Sequence, residues 1–301
     1  MLSDGRGIEI SEALHEMAQE PVIVLFALLT QLGDVWFLFL LGGMHYVVGD
    51  KFPQWGIERR RGLFVLGLLL TYVVLIGVLK EFFMLPRPPG AGTPPEIQWI
   101  PSVFQGVFAN ISTGGGYGFP SGHALGSTLV WGGFALVMGK DRLSRAWLAL
   151  AGVVVVIVSL SRVVLGVHYL IDVVVGVVIG VVVLSALYKI TDRGINPSRV
   201  LVVAMAIGVL GLLQGFTFES VAAVGSAVGA WLVWSVVGDS TPAHPSNRRE
   251  IVASLAVFGL ASTLFALLYS VKPSLLVTFF STMTIVGGIV GAPLIGKELV
   301  E

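Results

Sequence analysis

The sequence predicts an all-α protein, a polytopic bundle of transmembrane helices. Three observations predict it. The 301 residues are 55% hydrophobic and only 12% charged, where soluble domains carry about a quarter charged residues. Mean hydropathy is +0.90. The apolar residues also run in long continuous stretches, and a helix rising about 1.5 Å per residue needs roughly 20 of them to cross a hydrocarbon core about 30 Å thick. Barrel strands are half that length and alternate in polarity.

Taken in order, the first twenty residues hold acids and polar groups but no apolar core segment, so no cleavable signal peptide is expected. Residues 22–48 exceed one span and are interrupted by Thr30, Gln31, Leu32, Gly33 and Asp34. Residues 11–29 are therefore expected to form one interfacial or re-entrant helix ahead of a true span. Further spans are expected at 63–79, 124–138, 146–164, 169–188, 200–215, 221–237, 251–269 and 275–294, which makes nine crossings. Residues 84–119 include PRPPGAGTPP and STGGGYG and are expected to be a long loop. The chain then divides into a membrane core over 1–190 and an extension of about four helices over 191–301, whose spans carry almost no polar residues. Glycine pairs at i, i+4 spacing (Gly176 and Gly180, Gly225 and Gly229, Gly287 and Gly291) are expected to serve helix packing within the chain.

Formal charge is zero, which excludes a basic nucleic-acid footprint and an acidic disordered tail. The absence of cysteine excludes disulfides, thiolate metal sites and cysteine nucleophiles. With nine crossings, Lys51, Arg59, Arg60, Arg61, Lys140, Arg142, Arg145, Lys189, Arg193, Arg199, Arg248, Arg249 and Lys297 fall on one side, thirteen of the eighteen Lys and Arg. The positive-inside rule makes that side cytoplasmic and leaves Arg6, Lys80, Arg87, Arg162 and Lys272 outside.

Charged groups at membrane depth are costly and mark function. Here Lys80 and Arg87 end one span, Ser121, Gly122 and His123 begin the next, Ser161 and Arg162 end a third, and His168 with Asp172 opens a fourth. All four ends lie on the outer side, so three cations, two imidazoles and a carboxylate converge. Such a cup suits phosphate: guanidinium pairs bidentately with its oxygens, lysine adds a point charge, and a helix start at Ser121-Gly122-His123 offers backbone N–H groups. His168 and Asp172, four apart, are expected to share one helix face, the carboxylate fixing the tautomer of a nucleophilic imidazole. His123 is then the acid for the leaving oxygen, and no metal or other cofactor is required. Asp34 is read as a helix cap and left out of the catalytic set. His45 is expected to bond a neighbouring helix, and His15 and His244 to be solvated.

These residues resemble the three-part signature of the type 2 phosphatidic acid phosphatase family, integral-membrane lipid phosphatases that share a core with vanadium haloperoxidases. The pattern K-x6-RP, PSGH, SR-x5-H-x3-D is met by Lys80, Arg87, Pro88, Pro120, Ser121, Gly122, His123, Ser161, Arg162, His168 and Asp172, without departure. The resemblance covers residues 11–188, with Thr30-Gln31-Leu32-Gly33 similar to the family's lead-in to its first core helix. It implies a phosphohistidine on His168, oriented by Asp172, with His123 as acid and Lys80, Arg87, Ser121, Gly122 and Arg162 binding phosphate without a metal. The expected substrate is a lipid phosphate or diphosphate (phosphatidate, phosphatidylglycerophosphate or polyprenyl diphosphate) in a cell membrane, at the extracytoplasmic face, with no nucleic-acid partner. The alternatives are a lipid phosphotransferase using the same histidine, a non-catalytic lipid-phosphate transporter and a vanadate-dependent oxidase. Intact His123, His168 and Asp172 weigh against mere transport, because binding needs no oriented nucleophile.

Overall fold

The computed structural model describes residues 7–51, 57–138, 144–238 and 245–301; Arg6, Lys140, Arg142 and His244 lie outside them. Every regular element among the described residues is helical. The chain runs α1 (Ile8–Glu16), α2 (Glu20–Leu29), a 3-10 turn (Thr30–Gly33), α3 (Val35–Val48), a second 3-10 turn (Gly49–Lys51), α4 (Arg59–Phe83), α5 (Ser102–Ser112), α6 (Gly122–Met138), α7 (Ser144–Val164), α8 (Leu170–Ile190), α9 (Ser198–Gln214), α10 (Phe218–Val237), α11 (Arg248–Val271) and α12 (Leu275–Glu298). Helices α4, α7, α8, α10, α11 and α12 are each long and apolar enough to cross a membrane. The chain is a multi-pass membrane protein.

Nine expected crossings thus reduce to six by length, with α3, α6 and α9 apolar but only 14, 17 and 17 residues long. At about 1.5 Å per residue these reach about 21 to 26 Å. Two of the three, α3 and α6, begin at the polar site described below. The chain nevertheless reverses at each of the nine helices.

Two expectations are corrected. Residues 11–29 are not one helix: α1 and α2 meet at a bend of 114°. Pro21 sits in the first turn of α2, where it has no N–H to continue a preceding helix but fits a new start. Residues 84–119 are not all loop, because α5 forms within them. Pro and Gly flank Ser102–Ser112, while Phe108 and Ile111 inside it pack with Ile97, Ile100, Leu165 and Val167 against Ala27 and Ile23 of α2. That burial holds a helix the flanking composition conceals.

The main core joins α3, α4, α6 and α8 to α9–α12. All three glycine pairs meet helices of the same chain. A Cβ on Gly176 would lie 2.7 Å from the Ser121 carbonyl and one on Gly180 2.7 Å from Thr128, so α8 lies directly on α6. Gly225 and Gly229 meet the Phe279 and Met283 backbones of α12, and Gly287 returns against Val233. The extension is less apolar inside than expected. Ser226, Ser254, Thr278 and Thr282 are buried; Ser226 and Thr282 donate to the carbonyls of Ala222 and Thr278 one turn back at 2.7 and 2.9 Å, which satisfies these two hydroxyls inside their own helices.

His45 bonds its own helix through Nδ1 to the Leu41 carbonyl at 2.8 Å and makes an edge contact with Phe134 of α6. His15 is exposed, yet its Nδ1 reaches the Val164 carbonyl at 2.9 Å. Following the reversals, eleven Lys and Arg among the described residues sit at the Arg59 end of the bundle, and Lys80, Arg87, Arg162 and Lys272 at the other.

Candidate active site

The ends of α4 and α7 and the beginnings of α3, α6 and α8 meet at one end of the bundle. Helix α4 stops after Phe83, with Met84 in the left-handed region at φ 49, and Lys80 lies in its last turn within electrostatic range of Arg87, Arg162 and Asp172. The turn at Met84 sends Arg87 back over the bundle. Its Nε donates to the carbonyls of Gly115 and Gly116 at 2.9 and 3.2 Å, and its Nη1 donates to the Val167 carbonyl at 2.8 Å. The glycine-rich segment 113–118 therefore wraps the guanidinium, and a Cβ on Gly114 would stand 2.7 Å from Arg87 Nη1.

The start of α6 is pinned from α8, because the Ser121 N–H donates to the Asp172 carbonyl at 2.9 Å. Ser121 is fully buried, and its hydroxyl has no protein partner. Arg162, 4% exposed, lies in the last turn of α7 and donates from Nη1 to the Thr30 hydroxyl at 3.1 Å, while its Nε has no protein partner. Buried donors without acceptors are costly.

Between α7 and α8 the chain reverses at Gly166, φ +66, and the N–H groups of Val167 and His168 both donate to the Arg162 carbonyl at 3.1 and 3.2 Å. This turn converts a separation of six residues into adjacency. His168 sits two residues ahead of α8, so the expectation that it shares a helix with Asp172 is corrected. Asp172 is at the third position of α8 and accepts the Tyr169 N–H at 3.0 Å, capping the helix. The same Oδ2 lies 3.4 Å from His168 Nδ1. On the other edge of the ring, Arg87 Nη1 is 3.0 Å from His168 Nε2. Arginine is only a donor, so Nε2 bears the lone pair and the proton lies on Nδ1, facing the carboxylate. Burial first, then the charges of Arg87, Arg162 and Lys80, hold the His168 imidazole well below its ordinary pKa of 6.5. It is neutral at physiological pH. Burial also lowers Arg87, with Asp172 opposing.

His123, the second residue of α6, has Nε2 3.6 Å from Asp34 Oδ2. All eight residues singled out from the sequence thus belong to the elements that meet here. Two that were not, Thr30 and Asp34, join them from the turn before α3. Their signals in sequence are the polar interruption of residues 22–48, the similarity of Thr30-Gln31-Leu32-Gly33 to the family's lead-in and the capping position of Asp34. Among the described residues no three His, Cys, Asp or Glu side chains gather as a metal-binding group.

Residues 61–195 match the PAP2 superfamily. The chain carries a PAP2 domain. Members of that superfamily are generally phosphatases or other phosphoesterases. The PAP2 match runs from α4 through α8, so Thr30 and Asp34 lie before it and α9–α12 after it. No curated protein and no solved structure matches the chain.

Proposed function

We propose that the PAP2 domain hydrolyses a phosphomonoester or diphosphate of a lipid through a phosphohistidine on His168. The observation that carries this is the ring of His168, held between a donor on Nε2 and a carboxylate on Nδ1. That is the neutral tautomer a nucleophile needs. When phosphate enters, Lys80, Arg87, Arg162, the Ser121 hydroxyl and the backbone at Gly122 bind its oxygens, and Arg87 turns from Nε2 toward them. The freed lone pair attacks phosphorus. As the N–P bond forms, the P–O bond breaks, its electron pair passes to the lipid oxygen, and His123 protonates that oxygen. Asp172 stabilises the charge that develops on His168. Water then attacks phosphorus, His123 accepts its proton, and the N–P electrons return to His168 with release of orthophosphate. The clustered cations stabilise charge spread over the equatorial oxygens in both halves.

The eleven described Lys and Arg at the opposite end support a site on the extracytoplasmic face of a cell membrane. In this reading residues 1–190 are the catalytic unit and residues 191–301 an extension to it. The test is orthophosphate release by the purified chain from phosphatidate, phosphatidylglycerophosphate and polyprenyl diphosphate, with His168→Ala alongside. Release that is lost in the variant, inhibition by vanadate and indifference to chelators are expected. Normal hydrolysis by His168→Ala would overturn the assigned nucleophile, and a phosphorylated acceptor without free phosphate would make the protein a phosphotransferase.

A further inference from the structure

The turn Thr30–Gly33 and Asp34 after it reach the site from outside the PAP2 match. Asp34 begins α3 as its N-cap, with Oδ1 accepting the Trp36 N–H at 3.3 Å. A cap needs one carboxylate oxygen, and an asparagine, serine or threonine serves it as well. The second oxygen, Oδ2, has another neighbour: His123 Nε2 at 3.6 Å. That is an ion-pair separation, longer than a hydrogen bond, as catalytic contacts often are before substrate is bound. His123 Nε2 is itself buried with no hydrogen-bond partner in the protein. The ring is flanked by like charge, since Arg162 of α7 and Lys80 of α4 both act on it. Asp34 faces His123 and Arg162, and Tyr72 of α4 lies within range of both Asp34 and Arg162. An acid that must carry a proton beside two cations needs an opposing charge, and Asp34 supplies it from the side of the ring turned away from Nδ1.

We propose that Asp34 is a positioning residue for His123, holding the Nε2 proton toward α3 so that Nδ1 delivers its proton to the leaving oxygen. This rests on the hydrolytic reading above and adds a second carboxylate–imidazole pair to that of Asp172 and His168. As the P–O bond breaks, the Nδ1 proton moves to the lipid oxygen, leaving neutral His123 still paired through Nε2–H to Asp34. The neutral ring is then oriented to take the proton of the attacking water.

The experiment uses the full chain in detergent and two substrates of unequal leaving-group quality, phosphatidate and p-nitrophenyl phosphate. An alkoxide needs the acid, whereas nitrophenolate departs without one. Asp34→Asn keeps a capping oxygen, so its Tm should match the wild type. If its Tm falls, Asp34→Ser, another capping residue, takes its place. For phosphatidate, kcat should drop about 10²-fold, the low end of what general acid catalysis supplies, with a much smaller loss for p-nitrophenyl phosphate. The basic limb of the phosphatidate profile should move to lower pH, since the imidazolium has lost its carboxylate and keeps Arg162 and Lys80. Adding Asp34→Asn to His123→Ala should cost nothing more. Equal losses on both substrates, an unmoved basic limb or multiplicative losses in the double variant would each overturn the proposal. A wild-type chain that releases orthophosphate from none of p-nitrophenyl phosphate, phosphatidate, phosphatidylglycerophosphate and polyprenyl diphosphate would instead remove the hydrolytic reading itself, and the positioning role with it.

Discussion

Gly176→Ala tests whether the seating of α8 on α6 sets the catalytic geometry. Gly176 is one turn beyond Asp172, on the side of α8 that meets the first turn of α6. A Cβ there would lie 2.7 Å from the Ser121 carbonyl oxygen and 3.1 Å from the Ala124 Cβ. Neither obstacle is a flexible side chain, since the Ser121 carbonyl accepts the Leu125 N–H at 3.1 Å as part of α6. Restoring ordinary contact moves the two helices apart by about 0.7 Å. Overpacking of this kind costs about 1–3 kcal/mol, and the better helix propensity of alanine returns about 1 kcal/mol, so the protein should still fold with a slightly lowered Tm. The larger effect falls on chemistry. The displacement acts on the 2.9 Å bond from the Ser121 N–H to the Asp172 carbonyl, which ties His123 and the phosphate-binding turn to the pair of His168 and Asp172. Misplacement by about 1 Å costs on the order of 10²-fold, so kcat/KM for orthophosphate release should fall at least about tenfold. Gly152→Ala in α7 is the control, because nothing lies within 4 Å of its Cβ; kcat/KM should stay unchanged and stability rise by up to about 1 kcal/mol. Equal kcat/KM in the two variants would refute the argument.

Asp172→Asn keeps an acceptor for the Tyr169 N–H but cannot stabilise charge on His168, so single-turnover formation of the phosphohistidine should slow by about 10³-fold or more; formation at the wild-type rate would contradict the orienting role. Thr30→Val removes the acceptor from buried Arg162 at nearly constant shape. A hydrogen bond to a charged group contributes about 1.5–3 kcal/mol, and KM should rise about tenfold or more with a smaller change in kcat, whereas an unmoved KM would show that Thr30 does not hold Arg162 in place. The lowered pKa of His168 also makes stability depend on pH. Between its folded value and 6.5 the unfolded chain carries a proton that the folded chain does not, so this contribution is complete above pH 6.5 and is lost as pH falls. The loss reaches up to about 1.4 kcal/mol per pH unit. Thermal unfolding between about pH 7.5 and 5 should show a shallower decline for His168→Asn than for the wild type, and identical slopes would contradict a neutral buried imidazole.

What the sequence made legible followed from strong local signals. Hydropathy located nine apolar helices because a span is a long, uninterrupted requirement. The site residues were legible because costly charges stood together at the span ends. What was hidden depended on packing. Helix α5 lies between Pro- and Gly-rich segments, and its stability comes from Phe108 and Ile111 against α2, a partner about 80 residues away in sequence. The spacing of four between His168 and Asp172 suggested a shared helix face, yet the contact is made by a turn through Gly166, and the spacing of four is coincident with it. Asp34 was legible as a cap but not as a neighbour of His123. A cap is declared by the residues that follow it, and the second use of the carboxylate is declared only by α6 crossing the start of α3.

The extension beyond residue 190 is coupled to this site through α4. Lys80 sits at the end of that helix, and its position is only as fixed as the last turns of α4. On the side of α4 away from α6, α9 packs closely enough that a Cβ on Gly67 would stand 2.3 Å from Val200 and one on Gly211 3.2 Å from Val78. Gln214 then donates to the Val78 carbonyl at 3.1 Å, two residues before Lys80. Helix α10 backs α9 through Val224 at Gly208, and α12 backs α10 through the contacts at Gly225 and Gly229. A helix with lipid on that flank would be free to tilt, and the burial cost of a cation in its last turn would favour tilting toward water. Bracing by α9, itself braced by α10 and α12, opposes that motion and keeps Lys80 directed at the phosphate-binding cup.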